Sequence, residues 1–505
     1  MIRRHLTPAL VVFTFLLAIC VFRPVLAGRL QPLLSLAVLF AAVAVAFLGA
    51  GGVRDSLPDT ARRVGALAAC ASLGLILGMV SAARMSEASL RAFLPVPEAD
   101  VSGFSGVVTQ DSSLSREGET VLRIALRDAA SARRGITAEA RGNALVIVPG
   151  DYRFSLGQRL SVHAALALFD SAGPEAYIAR AERRDMRTAG YTGIVWAFRA
   201  EAREWMHRSV SGIGYPGSAL LEALLIGSRQ DVPESLYDAF LRTGSLHILA
   251  LSGLHVTVLY GIVAGLLGLL RSRWGRFLIA TIVLLFYQFL AGFMPSLLRA
   301  TVMIVVGGTA LLLDRDGEPL NILAISGIVL LLIDPFQIYS LSFQLSFLAL
   351  AGILALGPLV QRPLEAWLPK PVLLPLAMSV GAQMATLPLV VAQFGVYYPS
   401  GLAASLILVP LTTGYLWAGL AWLPLSVIPW PFLHDACARG FALLYRIIEG
   451  SARLLARLPG VSFHPAVAPW ISSGALALLL CMALLLPLRR GAAQPQPRPA
   501  LAKHA

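Results

Sequence analysis

The chain has 505 residues, of which 57% are hydrophobic and only 14% are charged. Soluble domains carry about 25% charged residues, so this composition excludes a soluble enzyme, a disordered chain and a fibrous protein. It predicts a polytopic α-helical membrane protein. The net charge of +13, from 41 basic and 28 acidic residues, reflects either the basic cytoplasmic loops of such proteins or a partner rich in phosphate.

An N-terminal membrane region is predicted over residues 1–83. Three apolar runs lie at residues 6–22, 30–53 and 64–83, each near the ~20 residues that cross a bilayer. The first has features of a signal peptide, but Arg23 and Pro24 lie where a cleavage site is uncharged, so we interpret it as an uncleaved helix. Five arginines place the N-terminus and the second loop in the cytoplasm: Arg3, Arg4, Arg54, Arg62 and Arg63.

Residues 84–190 are predicted to form an extracytoplasmic β domain. Between residues 84 and 208 there are 17 arginines and 15 acidic residues, a net charge of only +2, and no run long enough to span a membrane. Four alternating segments are separated by Gly, Ser and Asp clusters, which is typical of antiparallel strands: 103–108, 120–127, 143–148 and 158–165. A barrel of this size is compatible with an oligonucleotide-binding (OB) fold, but the pattern alone does not distinguish it.

Residues 191–243 are predicted to be amphipathic helices at the membrane surface. Residues 194–210 combine aromatic side chains with Arg199, Arg203 and Arg208, which suits a helix at the headgroup level. Two short helices are expected between residues 218 and 242, with breaks at Gly227 and Pro233.

Residues 244–488 are predicted to be the main membrane domain, with about seven to nine crossings. Uncharged stretches lie at residues 243–270, 277–298, 300–313, 319–333, 335–361, 371–434 and 458–488. With the N-terminal region this gives about 10–12 spans. Arg489 and Arg490 place the C-terminus in the cytoplasm, and residues 489–505, rich in Pro, Ala and Gln, are predicted to be disordered.

Arg299 is the most informative polar residue of this half. It is the only charge between residues 277 and 313, and it follows the helix-breaking sequence of residues 292–296. A charge at mid-span costs roughly 2.5–3.5 kcal/mol on insertion scales, so it needs a reason. One interpretation pairs Arg299 with a structural carboxylate or with loose carbonyls. The other places it in a pore, in contact with an anionic solute.

His247, Ser252, Gly253 and His255 form a second polar cluster within an apolar run. Two histidines eight residues apart on one helix, with no nearby carboxylate, make a poor metal site. Ser252 and His255 are close enough in sequence to touch, but a helical backbone without an orienting acid disfavours a catalytic triad.

A third cluster contains Ser340, Ser342, Gln344 and Ser346. Their spacing makes adjoining polar stripes on a helix, which either bond to neighbouring helices or line a pore. Further along, Arg439, Arg446 and Arg453 are seven residues apart and share one helix face. That face either lies against lipid phosphates, which we favour, or forms part of a pore wall.

These clusters, in this order, resemble the signature of the ComEC-type competence proteins. The matching blocks are residues 240–256, 295–303 and 334–347, followed by weaker matches at Ala382, Gln383 and Pro388 and at residues 409–411. Many family members have Asn before the last block, where this chain has Ser405.

The resemblance implies an inner-membrane channel that passes single-stranded DNA into the cytoplasm during natural transformation. It implies an OB-like extracytoplasmic domain. The implied partners are an external DNA receptor, a cytoplasmic ATP-driven motor or single-stranded-DNA-binding proteins, and the lipids around the channel. Whether the chain forms homo-oligomers stays open. The pore candidates are His247, Ser252, Gly253, His255, Arg299, Gln344 and Ser346.

We expect the chain not to be an enzyme. It has no P-loop motif, no CxxC pair among its four cysteines, and no counterpart of the His-x-His-x-Asp-His metal motif that many family members carry in a C-terminal nuclease-like domain. We therefore expect no metal and no cofactor. Two alternatives stay open: a transporter or flippase for another anionic solute, and an intramembrane hydrolase that uses Ser252 and His255.

Overall fold

The computed structural model describes residues 94, 97, 100–115, 117–168, 177–292, 294–314, 318–333, 337 and 340–463. The three N-terminal spans, nearly all of the last apolar run and the C-terminal tail predicted above lie outside the described residues. The description below therefore covers the β region and most of the C-terminal helical region.

Eight strands form one sheet between residues 103 and 191. They are β1 (Gly103–Leu114), β2 (Glu119–Ser131), β3 (Ile136–Glu139), β4 (Asn143–Pro149), β5 (Gln158–Val162), β6 (Ala167–Leu168), β7 (Tyr177–Arg180) and β8 (Met186–Tyr191). The order along the sheet is β6-β7-β4-β2-β1-β5-β8, with β3 paired to β2. All pairs are antiparallel except β4 with β7.

The alternation of the sequence explains which face of this sheet is buried. On β2, Leu122, Ile124 and Leu126 are buried, while Arg123 and Arg127, each next to one of them in sequence, are exposed. Because successive side chains of a strand point to opposite faces, a period of two in hydrophobicity creates one apolar face. The four strands predicted from the sequence are confirmed within this sheet.

Twelve helices are described after the sheet. They are α1 (Ile194–Ser211), α2 (Gly217–Ile226), α3 (Glu234–Arg242), α4 (Gly253–Leu266), α5 (Arg273–Ala291), α6 (Pro295–Leu312), α7 (Pro319–Ile333), α8 (Leu341–Ala355), α9 (Gly357–Leu364), α10 (Lys370–Phe394), α11 (Gly401–Leu425) and α12 (Pro431–Leu455). A short 3-10 turn, Leu246–Ile248, precedes α4, and a two-residue strand Val396–Tyr397 pairs with Val461–Ser462.

Six helical segments in the described part of the chain are long and apolar enough to cross a membrane. They are Leu246–Leu269, Arg273–Ala291, Pro295–Leu312, Leu341–Leu364, Lys370–Phe394 and Gly401–Leu425. The break predicted before Arg299 is confirmed: α5 ends at Ala291, Gly292 takes a left-handed conformation with φ +92°, and Pro295 begins α6. Glycine accepts this conformation without the steric penalty of a Cβ atom, and proline is well suited to the first turn of a helix.

The short helix α2 lies at the centre of the largest apolar cluster. Nine of its ten residues are buried, against side chains from α1, α3, α11 and α12. The Tyr415 hydroxyl on α11 donates to the Gly217 carbonyl at 2.9 Å, and the Trp422 indole donates to the Ser209 carbonyl at 2.9 Å. This helix lies where the sequence predicts the first of two short helices, and it is enclosed by protein.

The β region is held on the helices by a group that we call the Asp111 clamp: Asp111, Arg199 and Arg203. The buried Arg199 on α1 donates two hydrogen bonds to the Asp111 carboxylate, at 2.9 and 2.6 Å. Burial by itself raises the pKa of Asp111, but the hydrogen bond from Arg199 and the charges of both arginines outweigh it and hold the pKa below its usual value. The expectation that these arginines face lipid headgroups therefore does not describe Arg199, which is fully buried.

A second group, the Glu222 clamp, joins the β region to α2. Arg153, between β4 and β5, pairs with the buried Glu222 at 3.3 Å and also with Asp231. His207 on α1 lies 2.7 Å from the same Glu222 carboxylate. A carboxylate on a buried apolar helix is costly unless it is paired. The contacts with Arg153 and His207 therefore explain how α2 can carry the buried Glu222 carboxylate.

Helices α8 and α10 cross at Gly352 and Gly381. A Cβ atom on Gly352 would overlap with the Gly381 carbonyl oxygen, and one on Gly381 would lie 2.8 Å from the Gly352 carbonyl oxygen. Small residues allow two backbones to approach this closely, as in many membrane helix pairs.

We expect Gly352→Ala to destabilise the protein by about 1–3 kcal/mol, because the added methyl group forces the two helices apart. The measurement is the thermal unfolding midpoint of the detergent-solubilised chain. Gly414→Ala on α11 is the matched control: nothing lies within 4 Å of a Cβ there, so its midpoint should be equal to or above that of wild type. Equal midpoints for Gly352→Ala and wild type would contradict the close crossing.

Candidate functional site

The first of the three sequence blocks changes direction at Gly244. This residue has φ +66°, and a Cβ atom on it would lie 3.3 Å from the Tyr398 Cβ atom. His247 follows in the 3-10 turn and is exposed.

Ser252 and His255 form the N-terminal cap of α4. The Ser252 backbone N–H donates to His255 Nδ1 at 3.1 Å, and the Ser252 hydroxyl lies 3.0 Å from the same nitrogen. The prediction that these two side chains touch is confirmed. Since Nδ1 accepts a backbone hydrogen bond, the neutral ring carries its proton on Nε2.

The prediction that His247 and His255 lie on one helix is wrong. The chain is not helical between Leu249 and Ser252, so the two histidines lie on separate elements. Among the residues that the structure describes, no group of three His, Cys, Asp or Glu side chains could hold a metal ion.

The second block contacts the first at the break between α5 and α6. The Ser296 hydroxyl donates to the Leu251 carbonyl at 2.5 Å. A Cβ atom on Gly253 would lie 3.4 Å from the Ala300 Cβ atom, so glycine at this position lets the start of α4 approach α6. The structure therefore places Gly253 against Ala300, the residue that follows Arg299.

Arg299 lies between two apolar clusters of the bundle. Leu297 and Ala300 face α4 and α5, whereas Leu298 and Val302 face α7 and α8. The arginine itself is only 3% exposed. Its side chain is therefore enclosed by apolar groups from several helices, which is a costly environment for a cation.

Arg299 has very little compensation for that cost. Its Nη2 donates to the Ser342 hydroxyl at a long 3.3 Å, which joins the second sequence block to the third. Its Nε and Nη1 have no hydrogen-bond partner, and no carboxylate in the described part of the chain pairs with it. The interpretation of Arg299 as one half of a structural ion pair therefore finds no partner among the described residues.

Gln344 and Ser346 lie on α8, two and four residues beyond Ser342, and both are half-buried. Among the described contacts, Arg299 bonds to Ser342 on α8, and its neighbour Ala300 contacts Gly253 at the start of α4.

Sequence reasoning missed several buried polar side chains of this region. Gln288 on α5 is fully buried with neither amide atom bonded, and the hydroxyls of Thr301 and Ser326 are also buried without partners. On α10, Gln383 accepts from the Tyr397 hydroxyl at 2.7 Å. A single amide in an apolar run is a weak but readable signal, and it could have drawn attention to Gln288.

The weaker sequence matches have a structural explanation. Gln383 lies beside the start of α11, where a Cβ atom on Gly401 would come within 3.4 Å of its amide nitrogen. Ser405, at the position where the family often has Asn, donates to the Gly401 carbonyl at 2.7 Å and so bonds within its own helix.

We expect Arg299→Met to stabilise the isolated protein by about 1–3 kcal/mol, because it replaces an uncompensated buried cation with an apolar chain of similar length. The unfolding midpoint in detergent measures this. Arg446→Met is the matched control, since Arg446 is exposed on α12 and its change should stay within about 0.5 kcal/mol. A clear loss of stability in Arg299→Met alone would mean that the guanidinium has a protein partner.

The matched sequence family fits this arrangement of blocks. The sequence profile described as "Competence protein" matches residues 224–490, which is more than half of the chain. The match includes all three blocks and the helices that carry them.

Individual relatives cover smaller parts. The chain is 30% identical over 202 residues to the ComE operon protein 3 of Bacillus subtilis, covering 39% of this chain and 25% of that protein. It is 33% identical over 230 residues to an uncharacterised protein of Aquifex aeolicus, with 45% and 52% covered. It is 27% identical over 185 residues to Recombination protein 2 of Haemophilus influenzae, with 35% and 23% covered.

The matched segments therefore span from about a quarter to about half of the length of these relatives. No solved structure matches the chain. The profile match over residues 224–490, together with the contacts that join the three ordered blocks, leads to one conclusion: the chain belongs to the competence protein family.

Proposed function

We propose that this chain is a channel that passes single-stranded DNA through the bacterial inner membrane during natural transformation. The observation that carries the proposal is Arg299, a buried guanidinium with two nitrogens unbonded and no acidic partner among the described residues. Buried charges persist in membrane bundles mainly where they serve a substrate or ion path.

A phosphate group of a DNA strand is chemically suited to this site. The guanidinium presents planar donors that match phosphate oxygens, and the two free nitrogens are Nε and Nη1. A conducting path also needs contacts weak enough to release each phosphate, so one cation with neutral donors nearby suits passage better than a dense basic patch. Ser342 is such a neutral donor, and Ser252 is a further candidate.

The path is closed in this conformation. Arg299 is 3% exposed and is covered by apolar side chains of α6, α7 and α8. For a strand to reach the guanidinium, the contact between Arg299 and Ser342 must open. We propose that a cytoplasmic ATP-driven motor and an external DNA receptor supply the pull and the substrate.

The membrane placement is part of the same proposal. On α5, Leu278, Ile282 and Leu285 are exposed and lie on one helix face, which suits contact with lipid tails. Together with the basic loops of the sequence, this exposed apolar face favours a multi-pass membrane protein. In this proposal both termini are cytoplasmic, and the β region lies outside the cytoplasm as an OB-like domain. Homo-oligomers are compatible with the exposed apolar faces.

A transporter or flippase for another anionic solute would use the same guanidinium. An intramembrane hydrolase would use Ser252 and His255, which lie 3.0 Å apart. However, His255 Nδ1 also accepts the Ser252 backbone N–H, so the pair already has a role in capping α4.

We expect Arg299→Ala and His247→Ala to abolish transformation while the protein stays in the membrane in normal amounts. The measurement is uptake of labelled DNA together with transformant counts, with Arg446→Ala as the control that keeps both.

Three results would point elsewhere. Normal DNA uptake in Arg299→Ala would contradict the site. Envelope or growth defects with unchanged transformation would favour another anionic solute. Loss of activity in Ser252→Ala combined with normal activity in Arg299→Ala would favour the hydrolase.

A further inference from the structure

The C-terminal end of α5 is capped by side chains from another part of the chain. Arg199 Nε donates to the Phe289 carbonyl at 2.6 Å, and its Nη2 donates to the Leu290 carbonyl at 3.0 Å. Arg203 donates to the same Leu290 carbonyl at 2.9 Å. The last carbonyls of a helix lack partners within the helix and carry partial negative charge, so two arginines here satisfy and stabilise that end.

The same Arg199 holds the β region. Its two bonds to Asp111 use the carboxylate on β1, and Asp111 also accepts the Leu156 backbone N–H at 2.9 Å from the loop before β5. One fully buried side chain therefore contacts the sheet and the end of α5 at once. A lysine could not do this, since it lacks the several fixed donors of a guanidinium.

The break before α6 lies directly against this clamp. A Cβ atom on Gly292 would lie 3.0 Å from Arg199 Nη2 and 3.1 Å from Asp111 Oδ2. Trp196 on α1 packs on Phe289 with ring centroids 5.7 Å apart. The residues that turn the chain from α5 into α6 thus rest on the ion pair, and Arg299 follows seven residues after Gly292.

The second attachment of the β region does not reach this break. The Glu222 clamp joins Arg153 to α2, to His207 on α1 and to Asp231. It contacts no residue of α5 or α6 among its described bonds. The two clamps therefore dock the same sheet, but only the Asp111 clamp does so at the break.

We propose that Arg199, fixed by Asp111, is a positioning residue that sets the geometry of the break between α5 and α6 and so the placement of Arg299. A displacement of the β region, for example when a nucleic acid strand is bound there, would be passed to the break through this side chain. The consequence for transport rests on the proposed function; the link between sheet and break does not.

Hydrogen exchange of the full chain in nanodiscs tests the link without any DNA. In Arg199→Gln the amides of residues 286–298 should exchange about tenfold faster, because bonds from a charged donor to the end of α5 are lost. Arg153→Gln, which breaks the Glu222 clamp, should leave residues 286–298 at the wild-type rate. In both variants the buried strand residues 122–126 should keep wild-type exchange, which shows that the sheet is folded.

Asp111→Asn covers the case in which Arg199→Gln does not accumulate. It preserves the shape of the clamp and removes the charge that fixes Arg199, so faster exchange over residues 286–298 is again expected. Unchanged exchange there in whichever of these two variants accumulates, or an equal increase in Arg153→Gln, would overturn the proposal.

The transformation assay distinguishes the positioning role of Arg199 from the proposed DNA channel. If the exchange results are as expected and Arg199→Gln loses transformation while present in normal amounts, both proposals are supported. If the exchange results are as expected but Arg299→Ala transforms normally, the positioning role of Arg199 is supported and the proposed DNA channel is contradicted.

Discussion

The cost of burying a cation without a counter-ion is the constraint on which this account depends. Arg299 lies at the meeting point of three sequence blocks, enclosed by apolar side chains, and among the described residues its one hydrogen bond is the long contact to Ser342. A fold selected for stability alone would place an apolar residue there. The missing compensation is the kind that a transient anion supplies, and a DNA strand offers one such charge for each nucleotide.

Two further contacts involve α6, the helix that carries this buried arginine. The start of α4 is held against α6 by the Ser296 hydroxyl, which bonds to Leu251, and by the small Gly253, which contacts Ala300 next to Arg299. The break before α6 is fixed from the other side by Arg199, whose own charge is fully paired with Asp111. Among the described residues, Arg199 has an acidic partner and Arg299 has none, and we propose that the first positions the helix that carries the second.

Much of this arrangement could be predicted from the sequence. The alternation in residues 103–165 predicts the strands, and Gly292 with Pro295 predicts the break before Arg299, because local patterns determine these features.

The partners of Arg199 could not be predicted, since Asp111 is 88 residues away and an arginine on an amphipathic helix has the same sequence pattern whether it meets lipid or protein. The placement of His247 and His255 on one helix failed because the apolar run around them hid a readable boundary: Ser252 is a favoured N-cap residue, and Ser252–Gly253 is a turn dipeptide. The contact between Arg299 and Ser342 depends on how three helices pack, which periodicity does not determine.

The most direct measurement of the central claim is photo-crosslinking from position 342, using a photoreactive amino acid in place of Ser342 in transforming cells supplied with labelled DNA. Ser342 is the described partner of Arg299, so a strand that passes the guanidinium comes within reach of the probe. We expect label to become attached to the chain only while DNA uptake is under way. Active uptake with no label on the chain, or a crosslink only to an acidic segment of the protein itself, would contradict it.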